Sequence, residues 1–167
     1  MRDTGSTGHD TRWASALGLL PFGRPRFDRH LAVALACAPL FWLALRTLPV
    51  SPPLPAAREI DAVLVFSLVL WYPLVEEVAF RGGLQGWLRG HAVARRGLGG
   101  VSLANILTSL AFVAWHGLYQ GGGAALLVFV PSLIFGYFRD RYGTIYAALC
   151  LHAWYNATFL LAVSFRP

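Results

Sequence analysis

Glu76 and Glu77 stand side by side in an apolar stretch, and Arg81 follows four residues after the second of them. Further on, His116 closes the run Phe112-Val113-Ala114-Trp115-His116, and His152 precedes Asn156 by four residues. A carboxylate can take a proton from water, and an imidazole can position that water. A second imidazole and an amide can donate hydrogen bonds to a developing oxyanion. Together these groups suit hydrolysis of an amide bond without a covalent intermediate. Helix geometry separates the two glutamates, because neighbours point about 100° apart. Glu77 and Arg81 have the favoured acid-first spacing for an i,i+4 pair. Glu77 and Arg81 are therefore expected to support the structure, leaving Glu76 free for chemistry.

Each cluster also has a plainer reading. Both glutamates could pair with arginines at a membrane edge, and His116 could be a hydrogen-bonded core residue. His152 and Asn156 share a helix face and could join helices inside a bilayer, at ~0.6–2 kcal/mol each. The functional reading gains from the combination, which spreads over three helices. Other chemistries lack their patterns. Ser109 and Ser132 have no GxSxG context, Cys150 has only His152 nearby as a base, and no HExxH is present. Glu76, His116 and His152 could bind a metal, but the usual close-spaced ligand pair is missing, so no metal and no cofactor is expected.

Composition places this set in a membrane. The 167 residues are 56% hydrophobic and only 13% charged, against about 25% charged in a soluble domain. Two carboxylates in a spanning segment cost roughly 2.5–3.5 kcal/mol each, so an intramembrane ionisable residue reads by default as functional. All 14 basic residues are arginines. They lie between apolar runs rather than in a basic patch with interleaved aromatics, which argues against nucleic acid. Cys37 and Cys150 form no metal or redox motif and read as buried free thiols. Residues 1–30 show no convincing cleavable signal, only a short apolar patch over Trp13–Phe22.

Five apolar segments follow, at about Leu31–Leu48, Ile60 past Phe80, Val101–Tyr119, Ala124–Phe138 and Thr144–Phe165. The expected fold class is therefore all-α: a polytopic membrane helix bundle of about five transmembrane helices. Ser51–Pro55 reads as a proline-rich loop. Residues 83–96 read as an extension of the second helix or an interfacial amphipathic connecting helix, with a basic connecting loop as the alternative. Residues 1–30 form an expected cytoplasmic tail, and 31–167 the membrane domain, with its catalytic core at about 60–165. Eleven arginines (2, 12, 24, 26, 29, 81, 89, 95, 96, 139 and 141) fall on one side of five spans and three (46, 58 and 166) on the other. By the positive-inside rule this puts the N-terminus in the cytoplasm, in what the sequence suggests is a bacterial inner membrane.

Glu76-Glu77-x-x-x-Arg81, Phe112-x-x-x-His116 and His152-x-x-x-Asn156, in this order, resemble the CAAX protease and bacteriocin-processing (CPBP, or Abi) family of glutamic intramembrane endopeptidases. The resemblance covers about residues 60–165. It implies that Glu76 with His116 activates water, that His152 and Asn156 stabilise the oxyanion, and that Glu77 and Arg81 are structural. It also implies a metal-independent hydrolase acting on a membrane-attached protein or peptide. Family members trim prenylated CAAX proteins or serve peptide maturation, bacteriocin immunity or processing of C-terminal sorting segments. A non-catalytic immunity or scaffold protein is the alternative reading, and a small proton-coupled transporter a third.

One geometric demand accompanies this reading. Counted from Ile60 and Val101 as opposite boundaries at 1.5 Å per residue, Glu76 and His116 fall roughly 16 Å apart in depth across a ~30 Å core. They must share a depth to share a water. The register is therefore expected to differ. Val101–Leu107 would protrude, the third helix would continue into Gly121-Gly122-Gly123, and the site would open to the cytoplasmic side. Gly82-x-x-x-Gly86 and Gly117-x-x-x-Gly121 mark possible close helix packing.

Overall fold

The computed structural model describes residues 7–21, 27–45, 60–120 and 125–164. The Ser51–Pro55 loop, the glycine run, and the topology arginines Arg2, Arg24, Arg26, Arg46, Arg58 and Arg166 lie outside the described residues. Among the described residues the chain forms helices α1 (Thr7–Ala16), α2 (Arg29–Leu45) and α3 (Ala62–Arg89). A hairpin of β1 (Gly97–Leu98) and β2 (Val101–Ser102) follows, then α4 (Leu103–Gln120), α5 (Phe129–Tyr142) and α6 (Tyr146–Ser164).

Helix starts are set by local chemistry. Asp61, the one charge in the apolar run before the glutamates, caps α3 by accepting from the Leu64 N–H at 2.7 Å. Asp28 does the same for α2, accepting from Leu31 at 3.0 Å, and also pairs with Arg141 at 2.9 Å. The Leu31 bond, above all, holds the Asp28 carboxyl well below the usual carboxylate range. At the other end of α5, Gly143 takes a left-handed φ of 73° and returns its N–H to Arg139.

Helix α3 is 28 residues long with a mean hydropathy of 1.8, long and apolar enough to cross a membrane. Only 11% of its most apolar stretch is buried, whereas the core helix of a soluble protein would be mostly covered. Phe66, Leu70, Trp71 and Val75 all face outward. The core lies between α2, α5 and α6, where Ala34, Ala38, Ala147 and Ala148 allow close approach around Phe135, Phe138, Leu151 and Tyr155. Side chains also bond backbone carbonyls across this seam. Trp42 donates to Tyr155 at 3.0 Å, Trp154 to Leu35 at 2.9 Å and Tyr155 to Ala34 at 3.2 Å.

The stretch after the second segment extends its helix, as one reading of it expected: α3 itself continues through Trp87 to Arg89, residues 90–95 form turns and a bend, and no separate amphipathic helix follows. Three expectations change. Cys37 is half-buried and Cys150 exposed, where both were expected to be buried. The two-residue hairpin turns on Gly99 and Gly100, whose φ values of 63° and 84° suit a tight turn, so the described chain is mostly rather than wholly helical. The fourth segment lies further along than its hydropathy implies, because α5 continues past Phe138 to Tyr142. The polar end of α5 stays helical because its side chains bond inward, as shown below.

The segment after α1 packs on α3 where Gly82 and Gly86 leave room. A Cβ at Gly82 would stand 2.8 Å from the Leu17 carbonyl oxygen, and one at Gly86 3.0 Å from that of Ala16. Arg139 fastens the same place, donating to the carbonyls of Arg81 at 3.1 Å, Ala16 at 3.4 Å and Gly143. Ile145 and Tyr146 add bonds to the carbonyls of Gly18 and Leu19.

Gly136 permits the tightest approach. A Cβ there would overlap the Asn105 carboxamide, which is itself held by the Leu133 carbonyl at 2.9 Å. Gly136→Ala is expected to cost about 1–3 kcal/mol by overpacking. Gly83→Ala, whose Cβ would meet nothing nearer than 3.7 Å, should leave stability unchanged or slightly raised. Thermal unfolding in detergent checks the contrast, and equal melting temperatures for the two variants would contradict this packing.

Candidate active site

Glu77 is fully buried and sits at the meeting point of three helices. Its Oε2 lies 3.3 Å from Arg81 Nε, and its Oε1 lies 2.9 Å from His152 Nδ1 on α6. A carboxylate only accepts, so Nδ1 carries the proton and donates to Glu77. The Arg81 contact is one of charge, since neither Oε2 nor Nε has an aligned hydrogen bond. Arg81 is equally buried. It donates from Nη2 to Ser132 Oγ at 2.8 Å on α5, and its guanidinium carbon stands 5.3 Å from the Phe112 ring centre. The structural pairing of Glu77 with Arg81 expected from their spacing is thus present. The second attachment, to His152, was not visible in the sequence.

The polar ladder continues along α3. Glu77, Arg81, Gln85 and Arg89 recur every four residues. The α-helical period of 3.6 would rotate such a row steadily away from a neighbour. Residues 77–85 form wider π-type turns, and Arg81, Gln85 and Arg89 all reach α5. Ser132, Gly136 and Asp140 answer it at the same interval. Arg81 meets Ser132, Gln85 donates to the Gly136 carbonyl at 2.9 Å and to Asp140 at 3.0 Å, and Arg89 pairs with Asp140 at 3.3 Å. Ser102 closes the end, donating to Asp140 at 2.6 Å.

Glu76, turned away from this row, keeps partial exposure. Its Oε2 lies 3.5 Å from His152 Nε2, so one imidazole stands between the two neighbouring carboxylates. His152 stacks on Phe135 at 4.9 Å between ring centres, which fixes the ring plane.

His116 enters through the packing of α3 against α4. Phe80 and Phe112 meet edge to face at 5.0 Å. The helices run antiparallel, so one turn further on from this contact come Glu76 on α3 and His116 on α4. Glu76 stands thirteen residues before the Arg89 end of α3, and His116 thirteen after the Leu103 start of α4. Phe112 itself lies between the imidazoles, 4.3 Å from His116 and 5.9 Å from His152. Both counts start from the two ends of the turn and hairpin that join α3 to α4, whereas Ile60 and Val101 had been placed at opposite membrane faces. Val101 and Ser102 lie outside α4, in the hairpin. His116 Nδ1 is 3.0 Å from the Phe112 carbonyl, which accepts only, so Nδ1 donates and Nε2 keeps its lone pair.

Asn156 does not touch the carboxylates. Its Nδ2 donates to the Leu68 carbonyl of α3 at 2.8 Å, which leaves its second N–H uncommitted to that bond. Ser132, Phe80, Phe135 and Gln85 were missed as supports of the site. A four-residue polar interval in an apolar helix was the available signal for Gln85; Ser132 offered none. Among the described residues no group of three His, Cys, Asp or Glu side chains is placed to hold a metal ion.

Residues 58–158 match the family model for Rce1-like type II CAAX prenyl endopeptidases. No curated protein and no solved structure matches the chain.

Removing Arg81 leaves Glu77 buried and short of its counter-charge, at a cost of about 3–5 kcal/mol. Arg81→Ala should therefore lower the amount of folded protein in the membrane, whereas Glu76→Gln should not. Immunoblotting of membrane fractions with a thermal challenge compares them. Wild-type abundance and melting for Arg81→Ala would refute the supporting role of the pair.

Proposed function

We propose that this chain, which belongs to the Rce1-like type II CAAX prenyl endopeptidase family, the CPBP family resembled by its three motifs, is a glutamic-type intramembrane endopeptidase. The family is one of membrane-embedded peptidases, and α3 is a membrane-type helix. The single observation that supports the finer reading is the Phe80–Phe112 contact, one helical turn from Glu76 on α3 and from His116 on α4.

In the proposed reaction Glu76 takes a proton from a water that also donates to His116 Nε2. The resulting hydroxide adds to the scissile carbonyl carbon. The carbonyl oxygen, now negative, accepts from the second Asn156 N–H and from Nε2–H of His152 in its imidazolium form. Glu77, still ionised at 2.9 Å from Nδ1, offsets the charge of that cation, while Glu76 is neutral at this stage. Collapse of the tetrahedral intermediate breaks the C–N bond, and the proton held by Glu76 passes to the leaving amine. Positioning and charge stabilisation of this kind supply most of the acceleration in acyl transfer.

The substrate is proposed to be a membrane-attached protein or peptide, with a lipidated C-terminal segment as the first class to test. In this reading α2 to α6 supply five spans. The arginine distribution sets the N-terminus in the cytoplasm, and the site opens to that side.

The test uses the protein in liposomes with a quenched farnesylated peptide carrying three residues after the modified cysteine, beside its unprenylated counterpart. Cleavage should fall at least about 100-fold in both Glu76→Gln and His116→Ala, with unchanged protein levels. Undiminished cleavage by Glu76→Gln would dispose of the glutamic mechanism. A substrate-independent phenotype retained by that variant would favour the immunity or scaffold reading.

A further inference from the structure

Pro73 lies inside α3, one turn before the glutamates, in a helix that otherwise runs unbroken from Ala62 to Arg89. A proline in a helix interior ordinarily destabilises the helix, partly because it removes a backbone donor. The carbonyl that loses that donor can be identified here. Residues 67–71 form a wide π-type turn, and the Tyr72 N–H reaches back five residues to the Ser67 carbonyl. The next N–H in this register would bond the Leu68 carbonyl, but the next residue is Pro73. Tyr72 has passed over Leu68, and Pro73 has no N–H to give. The Leu68 carbonyl receives the Asn156 amide instead, at 2.8 Å.

We propose that Pro73 is a positioning residue for Asn156: by withholding its N–H it leaves the Leu68 carbonyl to grip one amide proton and aim the other. The inference rests on the reading of Asn156 as an oxyanion donor, although the hydrogen bond itself does not. It gives the wide turn and the proline one shared purpose. A donor-free position one turn before Glu76 couples the carboxylate helix α3 to the amide on α6. An alanine at 73 would restore a backbone donor that competes with Asn156 for the same oxygen. The carboxamide would then lose its anchor and sample other rotamers. Alanine is the residue best suited to a helix interior, so the variant is expected to fold.

Two measurements on the whole protein in nanodiscs test this. With the quenched farnesylated peptide, P73A should lower kcat about 3- to 10-fold, the range of one hydrogen bond, and leave KM within about twofold. In an N156A background P73A should produce no further loss. An unchanged kcat, or full multiplicative losses in the double variant, would overturn the proposal. Independently, Asn105 and Asn156 are the two asparagines of the sequence, so selective 15N-asparagine labelling reports two carboxamides, assigned by N156A. The hydrogen-bonded Asn156 proton should move upfield in P73A, while Asn105 stays fixed. Identical Asn156 spectra in the two proteins would overturn the positioning role whatever the activity. A spectral change in a protein whose wild type cleaves no peptide would uphold the coupling and count against the peptidase reading.

Discussion

The Glu77 carboxylate is the constraint on which the site depends. It is fully buried, and it holds Arg81 on its own helix and His152 on α6 at the same time. Arg81 in turn reaches Ser132 on α5. A buried charge is tolerable only when paired, and the pairing here draws three helices to one point. Glu76 is the beneficiary. With Arg81 and the Nδ1 proton of His152 committed to its neighbour, Glu76 has the Nε2 side of the same imidazole at 3.5 Å.

From that point the polar ladder between α3 and α5 sets the relation of two helices that would otherwise slide. Glu77, Arg81, Gln85 and Arg89 recur every four residues along a stretch that includes wide π-type turns. Ser132, Gly136 and Asp140 receive them at equal intervals, with Gly136 small enough for Asn105 to press against it. The ladder ends at the turn and hairpin that lead into α4. Beyond that turn, Phe80 of α3 meets Phe112 of α4, one helical turn from Glu76 and from His116.

The wide turns recur in two places. At 77–85 they carry polar side chains that reach α5, and at 67–71 they combine with Pro73 to release a carbonyl toward α6. Departures from ideal α-helix are common at functional sites because they free backbone groups and re-aim side chains. Here both departures flank the same glutamate pair.

Much of this was legible in residue types and spacing. The five apolar runs, the different directions taken by adjacent glutamates, the Glu77–Arg81 pair and the close approach at Gly82 and Gly86 are all local matters, set by helix period and side-chain size. What a chain does across helices depends on register, and register is decided by packing. Extension of the second helix was one of several readings of residues 83–96, and the sequence could not choose among them, so depths counted from Ile60 and Val101 disagreed. It could not show that His152 would attach to Glu77, because the two are 75 residues apart and meet only when α6 packs on α3. It marked Pro73 as a break in an apolar run and Asn156 as a polar neighbour of His152. Only the tertiary structure joined them, because the hydrogen bond that one residue cannot make is supplied by another from a different helix.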